Sequence, residues 1–189
     1  GEQASDKKTY TQTTLREVKN QCREADMTLY EYVYQQEDPN IINHLTDVWQ
    51  AMAASVENGL KKDGILPGKL ELKRRAASLF KHAENTDTLC SKSQMISAYA
   101  LAVAEENASG GTIVTAPTCG SCGVLPAVLT YLLSDPAVDE TAVKNALATA
   151  GLIGNLVKHN ASISGAEAGC QAEIGTASAM AAAAAAQIF

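Results

Sequence analysis

Positive charge is scarce in this sequence: 15 Lys and Arg stand against 21 Asp and Glu, for a formal charge of −6. A nucleic-acid backbone is therefore not an expected partner, because such binders present a basic face. The only tight basic cluster, Lys73-Arg74-Arg75, is too short to grip a polyanion and reads as a solvated helix start. No secretory signal is visible at the polar, charged N-terminus. No apolar run is long enough to span a bilayer, and the stretch from Ala177 to Ala186 is helix-forming rather than lipid-seeking. A disulfide framework is not expected from five cysteines, an odd number; reduced thiols or metal ligation and a cytoplasmic location fit better. An initiating methionine is missing, and no capping glycine or polar tail follows Gln187-Ile188-Phe189. These features suggest a piece of a longer polypeptide.

What is present is helix. The 189 residues suffice for one domain with a sizeable core. Thr14 with Glu17 and Thr28 with Glu31 have capping-box spacing. Asp38-Pro39 reads as an N-cap with a first-turn proline. After it, Ile41, Ile42, Leu45, Val48, Trp49, Met52, Val56 and Leu60 form an apolar stripe at helical period. Gly64 to Gly68 is a turn around Pro67. A further helix is expected from about Ser91 through Ala104, then a short extended piece from Thr112 to Ala116. Gly123 to Leu133 reads as a helix with Pro126 in its first turn. Asp139 should cap another running toward His159, with Gly151 and Gly154 as close-packing points. Nothing alternates at βαβ spacing, so the expected fold is all-α or mainly α. Residues 1–12 are expected to be a flexible segment and 13–189 the helical domain.

Two loops rich in small polar residues, Thr115-Ala-Pro-Thr-Cys-Gly-Ser-Cys-Gly123 and Lys158 to Glu173, argue for one composite site. In the second, Asn160, Ser162 and Ser164 offer hydrogen bonds, while Gly165 and Gly169 permit close backbone approach. Cys170 ends that loop. It reads either as a buried structural thiol or as a ligand or nucleophile favoured by a helix N-terminus. Cys119-Gly-Ser-Cys122 lacks the βαβ setting of a redox motif and the second pair of a zinc knuckle; the compact ferredoxin spacing is absent too. Thr115, Thr118 and Ser121 would hold a carboxylate near a helix start or merely form a capping loop. His159 is a dipole-completing helix end or a catalytic group. Glu105, Glu106 and Asn107 are either solvated or a supporting layer, and Glu167 and Glu173 flank Cys170 as candidate general bases.

At these residues the chain resembles the iron–sulfur-dependent L-serine dehydratases. The resemblance rests on Leu66-Pro67-Gly68 with Lys73-Arg74-Arg75-Ala76, on Tyr99-Ala100 through Glu105-Glu106-Asn107-Ala108-Ser109-Gly110-Gly111, and on Thr115-Ala-Pro-Thr118 with Gly123 and Pro126. It continues through Asn160-Ala-Ser-Ile-Ser-Gly-Ala-Glu167 and Gly169-Cys-Gln-Ala-Glu173. It covers roughly residues 60–189, and the region before more weakly. It implies conversion of L-serine to pyruvate and ammonia by a helical catalytic domain. It also implies a [4Fe–4S] cluster with three cysteine ligands and one open iron, Cys170 being the ligand in this chain and the others lying beyond it. Thr118, Ser121, Asn160, Ser162, Ser164 and Gly165 would hold substrate. The base is Glu167, Glu173, His159 or a group outside the chain, and Cys119 and Cys122 line the pocket without ligating the cluster. A small beta-type domain or subunit and self-association into a homo-oligomer are further expectations. The rival reading is a non-catalytic helical binding module with structural cysteines. A pyridoxal-phosphate mechanism is disfavoured, because Lys158 adjoins the loop with no phosphate cradle downstream.

Overall fold

The computed structural model describes residues 9–86 and 90–189. Helices α1 (Leu15–Glu24), α2 (Leu29–Gln36), α3 (Ile41–Leu60), α4 (Ala76–Glu84) and α5 (Ser91–Ala108) precede the first polar loop. Helices α6 (Val124–Leu133) and α7 (Glu140–Asn160), the single turn α8 (Gly165–Ala168) and α9 (Cys170–Ile188) complete the chain. Among the described residues the only β pairing is an isolated antiparallel bridge between Ile65 and Lys73. The fold is all-α. No described helix is long and apolar enough to cross a membrane.

The helix starts follow from local chemistry. Thr14 and Thr28 each accept from the backbone N–H three residues on, and Glu17 and Glu31 reach back to the cap residue, closing both capping boxes. Asp139 accepts from the Ala142 N–H at 2.7 Å. Asp38 departs from expectation. Its carboxylate accepts from Asn40 N at 2.9 Å and its carbonyl from Ile41 N at 2.8 Å, so Asp38-Pro39 form a turn and α3 begins at Ile41. Helix α5 runs one turn beyond the expected end at Ala104, because Glu105 and Glu106 are buried rather than solvated.

The α3 stripe turns Leu45, Trp49, Met52 and Val56 inward and leaves Ile42 exposed. Leu45, Trp49 and Met52 join Val18, Tyr32, Leu125, Leu129, Val143 and Leu147 in the main core. Helix α9 lies along α7, where a Cβ on Gly154 would meet the Met180 sulfur at 3.0 Å. Gly151 has nothing within 4 Å of such a Cβ, so of the two expected close-packing glycines only Gly154 serves as one. Residues 9–12, expected to be flexible, are tied down: Tyr10 donates to Glu37 at 2.6 Å, and Tyr32 donates to Gln12 at 2.6 Å. Residues 1–8 of that segment lie outside the described residues.

Within the Lys73-Arg74-Arg75 cluster, Lys73 and Arg75 are exposed as a solvated helix start requires, but Arg74 is not. The Arg74 side chain is only 7 % exposed and lies among Glu105, Glu106 and Ser109 of α5. The Glu105 carboxylate accepts from the backbone N–H groups of Arg75 and Ala76 at 2.6 and 3.2 Å, so a side chain of α5 caps the start of α4.

Candidate active site

The first loop leaves α5 at Gly110, follows an extended path to a cis Ala116–Pro117 bond, and makes a 3-10 turn over Cys119–Ser121. Asn107, at the end of α5, holds that turn by donating its side-chain N–H to the Cys119 carbonyl at 3.1 Å. The Ser121 hydroxyl is turned inward, 1 % exposed, and lies 3.2 Å from the Thr118 hydroxyl. It supports Thr118 rather than opening outward. Cys119 is exposed. Cys122 is 2 % exposed and packs with Val56 and Val103, so the pair does not line a pocket together. Burial, and secondarily the neighbouring Cys119, pushes the Cys122 thiol above its ordinary range.

The second loop is organised by its own short side chains. Ser162 donates to Glu167 at 2.6 Å and accepts from Ser164 N at 3.1 Å. Gly169 has φ of +80°, a conformation L side chains rarely adopt, and it lets the chain reverse into α9. Cys170 is the first residue of that helix and is exposed. Glu173, one turn on, accepts a hydrogen bond from the Thr118 hydroxyl. Gly120 and Gly165 lie against the two oxygens of the same carboxylate.

The structure thus brings together Thr118, Ser121, Gly165 and Glu173 at the start of α9, with Cys170 on the same helix. Asn160 stands apart from this group: its side-chain N–H group donates to Thr13 O at 2.7 Å and to Leu156 O at 2.8 Å. His159 lines a cleft of about 570 Å³ with Tyr10, Thr13, Glu37 and Lys158, none of them part of the Thr118–Glu173 group. The buried Arg74–Glu105–Glu106 network behind the Gly110-Gly111 turn was not legible as such in the sequence. The run Glu105-Glu106-Asn107 at a helix end beside two glycines was its only signal.

The donor set decides what this chain can hold. Cys170 is an accessible thiol at a helix start and fits as one soft ligand of an iron–sulfur group. Among the described residues, however, no group of three or more His, Cys, Asp or Glu side chains is placed to share a metal ion. A complete cluster site is therefore not formed by the described residues alone.

The site thus joins two glycine-rich polar loops at the start of one helix of an all-α domain. The chain belongs to the serine dehydratase alpha chain family, whose model matches residues 6–189. It is 50 % identical over 153 residues to an L-serine dehydratase of Haemophilus influenzae, an alignment covering 77 % of this chain and 33 % of that protein. It is 46 % identical over 155 residues to an L-serine dehydratase of Streptomyces coelicolor, covering 81 % and 34 % respectively. With L-serine dehydratase 2 of Escherichia coli it shares 39 % identity over 192 residues, covering 95 % and 42 %. The chain spans between 33 % and 42 % of the length of these three relatives.

Proposed function

We propose that this chain is part of the catalytic alpha domain of an L-serine ammonia-lyase, which converts L-serine to pyruvate and ammonia. The observation that carries the reading is the Thr118–Glu173 hydrogen bond, which joins the two family loops beside Cys170. Overall, L-serine loses its Cα proton and its β-hydroxyl as water; the resulting 2-aminoacrylate tautomerises to an imine and hydrolyses. Cys170 would be one ligand of a [4Fe–4S] cluster, with the remaining ligands in the length of the relatives that this chain does not span. When bound, such a cluster supplies a Lewis acid for a hydroxide leaving group.

This chain's own contribution is to bind and orient. Thr118, Ser162 and Ser164 would hold the substrate carboxylate and amine, while Gly165 makes room for the Glu173 carboxylate. Ser121 backs Thr118 from the interior. Among the candidate bases, Glu167 already accepts from Ser162, Glu173 accepts from Thr118, and His159 faces another cleft. We therefore assign the acceptor of the Cα proton to the portion of the enzyme not spanned here. A small beta-type domain or subunit, a homo-oligomeric state and a cytoplasmic location belong to the same proposal for the whole protein.

The test is anaerobic purification of the full-length parent protein, an iron count, and a pyruvate assay with L-serine. About four irons per chain, with activity lost in air, is the expected result. Activity without iron would require another cofactor. Neither iron nor activity would leave a helical binding module as the better description.

A further inference from the structure

Glu173 lies three residues after Cys170, so both side chains leave α9 on the same face. One carboxylate oxygen, Oε2, accepts the Thr118 hydroxyl of the first loop. The other faces the second loop: an ideal Cβ on Gly165 would sit 1.9 Å from Glu173 Oε1 and 3.0 Å from the carboxyl carbon. On the first loop, a Cβ on Gly120 would sit 2.5 Å from Glu173 Oε2. At both glycines the three nearest atoms all belong to Glu173, and real Cβ atoms essentially never come within 3.0 Å of a neighbour. Neither glycine is among those with positive φ. Their backbone conformation does not call for glycine; the space taken by one carboxylate does.

The geometry points to Glu173 as a positioning residue that clamps the two loops together. Its carboxylate holds Thr118 and fills the space in front of Gly120 and Gly165, so the Thr118 hydroxyl and the Cys170 thiol keep one relative placement. A free general base needs an oxygen open to substrate, whereas here one oxygen takes the Thr118 proton donor and the other lies against the backbone of Gly165. The clamp itself is independent of the lyase reading; only its kinetic consequence rests on it.

A distinctive pattern of substitution effects follows. The carboxylate is the end of a flexible side chain, so a methyl group at position 165 displaces it at little cost to the fold. Thr118 then loses its acceptor. Gly165→Ala therefore reproduces Glu173→Ala, and combining the two adds nothing further.

The experiment uses the full-length parent protein with Glu173→Ala, Gly165→Ala, the double variant, and Glu173→Gln. Hydrogen exchange is followed in peptides covering 115–123 and 161–169, and kcat and KM for L-serine are measured across pH. The expected result is an increase in exchange of about fivefold in both peptides, the size associated with one lost hydrogen bond. That increase is the same for both single alanine variants and for the double. In the same three variants kcat/KM falls by about 10²-fold, as for a misplaced binding group. Glu173→Gln, which keeps an acceptor oxygen for Thr118, recovers most of both effects. Additive exchange effects of Gly165→Ala and Glu173→Ala would overturn the clamp. So would a Glu173→Gln variant with KM unchanged, kcat abolished and the acidic limb of its pH profile gone, since that marks a general base. If the unsubstituted protein makes no pyruvate, the lyase reading fails while the exchange data still decide the clamp.

Discussion

The Arg74 guanidinium lies 3.9 Å from the Glu105 carboxylate, with the two side chains 7 % and 6 % exposed. Glu106, 4 % exposed, is 4.0 Å from the same guanidinium nitrogen, and Lys62 reaches Glu106 from the surface at 2.6 Å. Arg74 also donates to the Ser109 hydroxyl, so one side chain ties the start of α4 to the end of α5. Removing one partner from a buried ionic cluster leaves uncompensated charge, at a cost of about 3–5 kcal/mol. Arg74→Met is expected to lower the unfolding free energy by that amount, read as a lower urea midpoint at an unchanged m-value. A loss below about 1 kcal/mol would mean that the carboxylates are solvated despite their burial.

Two glycines in helices should respond in opposite directions to the same added methyl. A Cβ on Gly59 would lie 2.2 Å from the backbone carbonyl oxygen of Ala102, where α3 crosses α5, and backbone cannot step aside cheaply. Gly59→Ala should therefore cost about 1–3 kcal/mol through overpacking. Gly151, within α7, has nothing within 4 Å of such a Cβ. Gly151→Ala should stabilise by about 0.4–1 kcal/mol by restricting the unfolded chain. Thermal melts of the two variants decide the matter, and equal shifts would contradict the packing at the α3–α5 crossing.

Much of the helical order was legible because helix starts are local. Thr14 with Glu17, Thr28 with Glu31, and Asp139 each close their cap within three residues, so pattern and structure coincide. Asp38 failed as an N-cap because an Asx turn competes for the same carboxylate. The burial of Arg74, Glu105 and Glu106 was not legible. It depends on how α4 docks on α5, and charged residues read from sequence alone default to solvent. The two polar loops announced themselves by composition. Their junction, a hydrogen bond between residues 55 positions apart, did not. Gly165 was visible as a point of close approach; that the approaching group there, and at Gly120, is Glu173 rather than a ligand needed three dimensions.

The thiols should separate into two reactivity classes. Cys90, Cys119 and Cys170 are exposed, whereas Cys22 and Cys122 are buried, and burial raises the pKa of both buried thiols. The thiolate is the reacting form, so burial slows alkylation twice, by restricting access and by lowering the thiolate fraction. With iodoacetamide near neutral pH, mass spectrometry of the chain is expected to show the three exposed cysteines modified at least about tenfold faster than the buried pair. Denaturant should abolish the difference. Rapid labelling of Cys122 in the folded chain would contradict its packing against Val56 and Val103.

The two capping boxes give the N-terminal helices an acid sensitivity of defined sign. Glu17 is held below its ordinary pKa of 4.5 chiefly by the Thr13 backbone N–H, then by Thr14. Glu31 is held below the same value chiefly by the Thr28 hydroxyl, then by the Thr28 backbone N–H. A carboxylate with a lowered folded pKa adds stability that is fully present above its unfolded value and is lost as pH falls through the folded one. The contribution of α1 and α2 should therefore hold down to about pH 4.5 and fade as the pH falls below it. Gln can accept the same cap hydrogen bonds but cannot titrate. The double variant Glu17→Gln, Glu31→Gln should thus melt with a shallower acid limb than the unsubstituted chain, the two curves converging at the lowest pH. Parallel curves over that range would mean that the boxes form equally well with protonated carboxyls.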